Sequence, residues 1–339
     1  MSRTRPTTRP TRPGRAAALL LAPAIAAALV VSGCAPTTDA GEPASTAAES
    51  ATRTVETAFG EVTIPADPQQ VVALEGGTGP LLEAGIVPVA TADGDWPDSF
   101  LPAEYEQVAD LPIVLGADGW DYEKIASLQP DLIVGFVRGG KEEELSAEKH
   151  AEYDKLSQIA PTVLVRATGS ATVKDASLEI ASALGAGEEA EATKAEYDAR
   201  VAELRDTYGD VIAANTFAAV DSFEEVTVYS QISWLGGILD DLGAPLPEVV
   251  ADETAENAAF LSYEQLGQIA DATVVLTEQT VDGAPGPGAE ELAAASTYQE
   301  LPAVQAGHAY GVRYFFADRY SLALDVLDQL EVVLQDLQG

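Results

Sequence analysis

The chain is 339 residues long, which is room for about two domains, each able to bury a core of its own. It carries 18 lysines and arginines against 55 aspartates and glutamates, and five of those basic residues (Arg3, Arg5, Arg9, Arg12, Arg15) lie in the first 33 positions, which hold no acid, leaving 13 against 55 beyond them, a balance of minus 42. A field of that sign repels nucleic acid and anionic lipid, argues against a polyanionic partner and favours solubility or a cationic partner surface, although such acidity can equally be a trait of a whole proteome.

The N-terminus reads as an export signal. Behind the arginine-bearing head an apolar run from Ala16 to Val31, interrupted by Pro23, ends in Val31-Ser32-Gly33-Cys34. The run is short of the ~20 residues needed to cross a bilayer, and small residues close it as they close a cleavage site. Those four residues resemble the bacterial lipobox, in which the cysteine becomes the new N-terminus and carries lipid; the alternative is a chance cysteine after an ordinary signal peptide. Cys34 is the only cysteine, which rules out a disulfide within the chain and a structural cysteine zinc site. Acyl chains at Cys34 hold a protein at the outer face of the cell membrane. Residues 34–54, rich in Ala, Thr, Ser, Pro and Glu, read as a disordered tether, with folding from about Val55.

The first strand is read at Val71–Leu74, followed by the glycine turn Glu75-Gly76-Gly77-Thr78-Gly79-Pro80 and a short helix, a βα unit without the Lys and Ser/Thr of a phosphate-binding loop. Val87–Ala90 reads as a second short strand, with Trp96 among Asp93, Asp95 and Asp98 in its exit loop. A helix from Tyr122 to Leu128 leads to the apolar strand Leu132–Phe136, whose continuous apolar character suits a parallel sheet covered on both faces. Its exit loop carries Arg138. A charged helical insert, a strand at Thr162–Val165 and a helix at Val173–Leu184 complete the first half.

A helical run from Glu188 to Tyr208 divides the chain. Tyr197, Val201, Leu204 and Tyr208 recur at helical spacing on one face, Glu196 and Arg200 form an i,i+4 pair, and Gly209 reads as the stop. At ~1.5 Å per residue the rod is roughly 30 Å long, enough to span two lobes, though an ordinary surface helix has the same pattern. Beyond it strands are read at Thr216–Val220, Val226–Tyr229, Thr273–Leu276 and Ala309–Val312, with a loop carrying Trp234 ahead of a helix that ends at Leu242, and further helices over Ser262–Ile269, around Glu290 and from about Arg319 to Leu337. The implied organisation is a signal peptide over 1–33, a tether over 34–54, an N-terminal lobe over 55–187, a connecting helix over 188–208 and a C-terminal lobe over 209–339.

An internal echo supports duplication. Tyr122-Glu123-Lys124-Ile125-Ala126-Ser127-Leu128 aligns without a gap with Tyr263-Glu264-Gln265-Leu266-Gly267-Gln268-Ile269, each behind a capping residue, Asp121 or Ser262, and each ahead of a buried strand. Acids in a first helical turn also occur simply because they offset the helix dipole.

With these residues the chain resembles the lipid-anchored substrate-binding proteins of bacterial ABC importers for ferric siderophores, cobalamin and haem. The resemblance rests on the lipobox at Cys34, DYEKIASLQPDLIVG from Asp121 to Gly135, LSYEQLGQIADATVVL from Leu261 to Leu276 and LPAVQAGHAYGV from Leu301 to Val312, and it covers the chain from Val55 onward. It implies an α/β fold of two lobes, each a mainly parallel sheet flanked by helices, joined by a single long α-helix in the class III arrangement, with the ligand in the cleft between them. It also implies a monomer that delivers a ferric siderophore to an ABC permease with its ATPase, docking through one glutamate per lobe, at Glu123 and Glu264.

Ligands of open parallel sheets bind beyond the carboxyl ends of the strands, and the exit loops carry Trp96, Arg138, Tyr229, Trp234, Arg313, Tyr314 and Phe316. Aromatic walls suit chelate rings and guanidinium groups suit anionic ferric chelates; packing under loops and pairing with the acidic surface are the structural alternatives. The only histidines are His150 and His308, too few for a zinc or manganese site, so no metal ligands and no cofactor are expected and iron should arrive already chelated. No G-x-S-x-G or H-E-x-x-H motif is present, so an enzyme is not expected, although a cell-surface hydrolase of the same α/β build remains the rival of another class. Cobalamin or haem in the same cleft is the rival within the class.

Overall fold

The computed structural model describes residues 51–93, 96–116, 119–139 and 144–339; Cys34, the export signal and all but the last residues of the tether lie outside that range. Order begins earlier than the composition implied. Strand β1 (Thr52–Thr57) pairs antiparallel with β2 (Gly60–Pro65), Thr52 opposite Pro65, so the expected tether overruns into the fold. In Thr-Arg-Thr-Val-Glu-Thr four of the six residues are β-branched, a strand signal that the low apolar content concealed.

The first lobe is built on β3 (Val71–Ala73), a small antiparallel pair of β4 (Leu115–Gly116) and β5 (Gly119–Trp120), β6 (Leu132–Arg138) and β7 (Thr162–Ala167). Its main sheet runs β3-β6-β7, all parallel. The expected strand at Val87–Ala90 is instead an irregular segment held beside β3 by Val89 N to Val71 O and Ala73 N to Ala90 O, because Pro88 has no N–H to continue a ladder. Alternate residues of each strand enter different cores. Val71, Leu132, Val134, Val163 and Val165 face one side of the sheet, and Val72, Ile133, Val137 and Leu164 the other.

The second lobe carries β8 (Phe217–Ser222), β9 (Val226–Tyr229), β10 (Ala258–Leu261), β11 (Val274–Glu278) and β12 (Ala309–Val312) in the order β10-β9-β8-β11-β12. β8, β11 and β12 are parallel, while β9 runs antiparallel to β8 and β10 antiparallel to β9. It too is apolar on both faces: Phe217, Ala219, Val274 and Leu276 on one, Ala218, Val220, Val228 and Val275 on the other.

Helix Gly187–Ala214 joins the lobes. It passes through Gly209, the expected stop, and ends at Asn215, because Ile212 continues the apolar stripe of Tyr197, Leu204 and Tyr208 and its burial outweighs the ~1 kcal/mol cost of a helical glycine. Arg200 does not pair with Glu196. Its guanidinium reaches Glu203 at 3.0 Å and, on the C-terminal helix Tyr320–Gln338, Asp328 at 3.0 Å and Glu331 at 2.5 Å. The two helices share one core with the second sheet. No helix among the described residues is long and apolar enough to cross a membrane.

The lobes are also strapped directly. Ala171 N donates to Ile232 O at 2.9 Å, Ser177 Oγ to Asp318 O at 2.7 Å and Val281 N to Asp98 Oδ1 at 2.7 Å. Tyr320 OH bonds Asp175 and Ser321 Oγ bonds Glu83, each at 2.5 Å, so the start of the C-terminal helix reaches back to the first lobe.

Candidate functional site

The loops between the two sheets enclose a cavity of about 430 Å³. The first lobe contributes Glu75 beyond β3, Asp93, Trp96, and Phe136 and Arg138 from the end of β6; the second contributes Phe223 beyond β8, Tyr229, Trp234, Phe316 and Asp318. Gly76, also on the wall, has φ +68°, and any Cβ there would lie 2.0 Å from the Phe136 ring, so no other residue fits the turn.

The aromatic wall is one packed cluster. Trp234 meets Phe316 edge-to-face at 5.2 Å between centroids, Tyr229 meets Phe316 at 5.9 Å, and Phe315 supports both from the core side. Trp234 is set by a helix beginning at that residue, whose Ser233 cap accepts from Gly236 N at 3.1 Å. Trp96 of the first lobe and Phe223 of the second are each about 60% exposed, large apolar surface left open where a ligand can cover it.

Of the seven side chains expected in the cleft, Trp96, Arg138, Tyr229, Trp234 and Phe316 come together there, and Arg313 and Tyr314 do not line it. Arg313 pairs with Asp325 on the C-terminal helix at 3.3 Å. Tyr314 has φ +56°, which turns its ring into the core of the second lobe, where it is 6% exposed and lines only a small recess behind Trp96. Sequence reasoning left out Glu75, Phe136, Phe223 and Asp318, and treated Asp93 only as loop charge. Position in strand-exit loops is the available signal for Glu75, Phe223, Asp318 and Asp93, whereas Phe136 lies within β6 itself.

The electrostatics also differ from expectation. Arg138 is tied to Glu75, with Nε and Nη2 both donating to Oε1 at 2.8 and 2.6 Å. Asp93 Oδ2 accepts from Gly76 N at 3.2 Å and Thr78 Oγ1 at 3.3 Å, yet burial, followed by the neighbouring charges of Asp318 and Glu75, pushes its carboxyl up to about 7. Burial likewise raises Asp318, against the pull of Arg319. No three His, Cys, Asp or Glu side chains among the described residues are placed to hold a metal ion.

Glu123 and Glu264 are both exposed, in the first turns of the helix Tyr122–Ser127 and the 3₁₀ helix Tyr263–Ile269. Asp121 Oδ1 accepts from Lys124 N at 2.9 Å, and Gln265 Oε1 from Ser262 N at 2.9 Å. The echo holds in packing as well: Ile125 and Leu266, two residues after each glutamate, are both fully buried.

A cavity between two α/β lobes joined by one long helix is the geometry in which comparison with known proteins becomes decisive, and the profile of the family described as Periplasmic binding protein matches residues 71–313. The chain belongs to that family. Among solved structures, the siderophore periplasmic binding protein from the fuscachelin gene cluster of Thermobifida fusca is 38% identical, covering 80% of this chain and 98% of that one, with a TM-score of 0.72. The probable siderophore-binding lipoprotein YfiY of Bacillus subtilis is 34% identical over 59% of this chain, and the match spans 59% of that protein's length. The iron(3+)-hydroxamate-binding protein YxeB of the same organism is 26% identical over 75% of this chain and 76% of its own.

The acidity of this periplasmic binding protein has a consequence for its stability. Burial raises Asp93 and Glu278 to about 7 and Asp221 to about 6, whereas aspartate and glutamate in an unfolded chain ionise near 4. Between about pH 4 and 7 the folded state therefore binds more protons than the unfolded one, and stability falls as pH rises through that window. Differential scanning fluorimetry of the unliganded protein should give a higher unfolding temperature at about pH 5.5 than at about pH 8; the opposite order would mean that these carboxylates are solvated.

Proposed function

We propose that this protein is the substrate-binding component of an ABC importer, capturing a ferric siderophore in the cleft and delivering it to a permease with its ATPase. The observation that carries this reading is the aromatic-walled cavity shared by the two lobes, in a chain 38% identical to a siderophore periplasmic binding protein. Rigid rings supply broad apolar contact at little entropic cost, and the straps between the lobes keep the cleft formed before the ligand arrives. The work is binding and transfer; no bond is made or broken, and the iron comes as part of the ligand. Lipidated Cys34 holds the protein, as a monomer, at the outer face of the cell membrane.

Tryptophan fluorescence tests the reading. Trp96 and Trp234 line the cavity, and Trp120, on β5, does not. Titration with a panel of ferric siderophores, haem and cobalamin should give saturable quenching by ferric siderophores. Trp120→Phe should leave the curve unchanged, while Trp234→Ala should weaken affinity roughly tenfold or more, as truncation of a central aromatic does. Saturation by haem or cobalamin alone would overturn the choice of ligand, and equal affinity in the Trp234 variant would remove the cleft from the account.

A further inference from the structure

The charge inside the cleft is the reverse of what an anionic ligand needs. Among the described residues that line it, the carboxylates are Glu75, Asp93 and Asp318, and the single basic residue is Arg138, whose guanidinium is already bound to Glu75. Arg319 touches Asp318 from behind at 2.9 Å, but it is shared with Glu83 and Glu104 of the first lobe. That group of side chains holds five carboxylates against two guanidinium groups. Lys149, which bonds the Arg138 carbonyl, and Arg166 gather around Gly139, and neither lines the cavity. The aromatic faces of Trp96, Tyr229, Trp234 and Phe316 complete the wall, and such faces attract cations as well as apolar rings.

Resting on the reading of the protein as a siderophore receptor, we propose that the cleft selects ferric chelates bearing ammonium or guanidinium groups, with Asp93 receiving the cation in the net negative field it shares with Glu75 and Asp318, and the aromatic wall receiving the chelate. A chelate whose outer surface is wholly anionic meets like charge in a partly desolvated space, which opposes binding and slows encounter. A pendant cation turns the same field into attraction.

Two matched pairs of ligands test this, with tryptophan quenching as the readout at about pH 8, where Asp93 is ionised. One pair is ferrioxamine B, with its free amine, against its N-acetyl derivative. The other is the ferric complex of enterobactin, a trianion, against a tris-catecholate carrying a lysine in each of its three arms. In whichever pair binds, the amine-bearing member should bind at least roughly tenfold more tightly. Asp93→Asn, which keeps the shape of the side chain, should cut that preference to about twofold or less, with an unfolding temperature no lower than the parent's showing that the fold is intact. Glu75→Gln releases Arg138 and should improve binding of the ferric enterobactin trianion. Equal affinities within both pairs, or tighter binding of the acetylated or trianionic member, would overturn the charge proposal and leave siderophore capture standing. Failure of all four chelates to bind would remove the capture reading and this proposal with it.

Discussion

Replacing Arg319 by methionine is expected to lower the unfolding free energy by about 3–5 kcal/mol, a shift on the order of 10 °C in unfolding temperature. Arg319 opens the C-terminal helix, is 1% exposed and sits between the lobes. Nη1 donates to Ser99 O at 3.2 Å and to Asp318 Oδ1 at 2.9 Å, Nε faces Glu83 at 3.4 Å, Nη2 binds Glu104, and the guanidinium lies over the Phe100 ring at 5.8 Å. Gly79 leaves room for it, since a Cβ there would come within 2.6 Å of Nη1. Three carboxylates converge on this one cation, so removing it strands their charge in a space from which water is largely excluded. The loss should shrink at about pH 5, where the abandoned carboxylates can take up protons, and adding Glu83→Gln and Glu104→Gln should recover part of it at neutral pH. Chemical denaturation of the three proteins at two pH values measures all of this. A change below about 1 kcal/mol for the single variant would mean that the network is solvated and does not clamp the lobes.

The contrast between Arg319 and Arg313 shows what a sequence discloses here. Buried strands such as Leu132–Arg138 and Val274–Glu278 announce themselves because both their faces are apolar, and the helix Val173–Leu184 is visible in its spacing. The aromatic residues of the cleft are visible because most of them lie at or shortly beyond strand ends, where core duty is less common. What a loop does with consecutive large residues is not visible. In Arg313-Tyr314-Phe315-Phe316 the left-handed backbone at Tyr314 sends Tyr314 and Phe315 into the core and leaves Phe316 on the cleft wall. A non-glycine residue in that conformation has no short-range sequence signature. Arg319 is hidden for a related reason: its partners lie 215 and more positions away, at Glu83 and Glu104, and no periodicity records a contact of that range. The same holds for Arg138, whose value as a ligand for anions depends on whether a carboxylate already occupies it, and Glu75 does. The echo between Glu123 and Glu264 survives because it is local: a cap, a first turn and a buried aliphatic residue two positions on are fixed within each segment.

That local repetition carries the prediction with the largest effect. Glu123→Ala with Glu264→Ala should abolish uptake of the ferric chelate by whole cells while leaving its affinity for the isolated protein within about twofold of the parent. Both carboxylates are exposed and neither lines the cavity, so their removal should not disturb the ligand or the fold. Burial is not what sets the charge state of Glu264: hydrogen bonds from its own backbone N–H and the Ser262 side chain hold its carboxyl below the usual range, so it is fully ionised at neutral pH and open to a cationic partner. A carboxylate presented on each lobe gives a permease two points to grip, and an arginine can meet each with two parallel hydrogen bonds. Single variants should retain part of the uptake, because one contact still holds, and Glu→Gln at both sites should fail nearly as badly as alanine if charge is what the partner reads. Unimpaired uptake by the double variant would remove these residues from docking. A fall in ligand affinity would place them in the support of the cleft instead, and measuring binding and uptake on the same preparations separates the two.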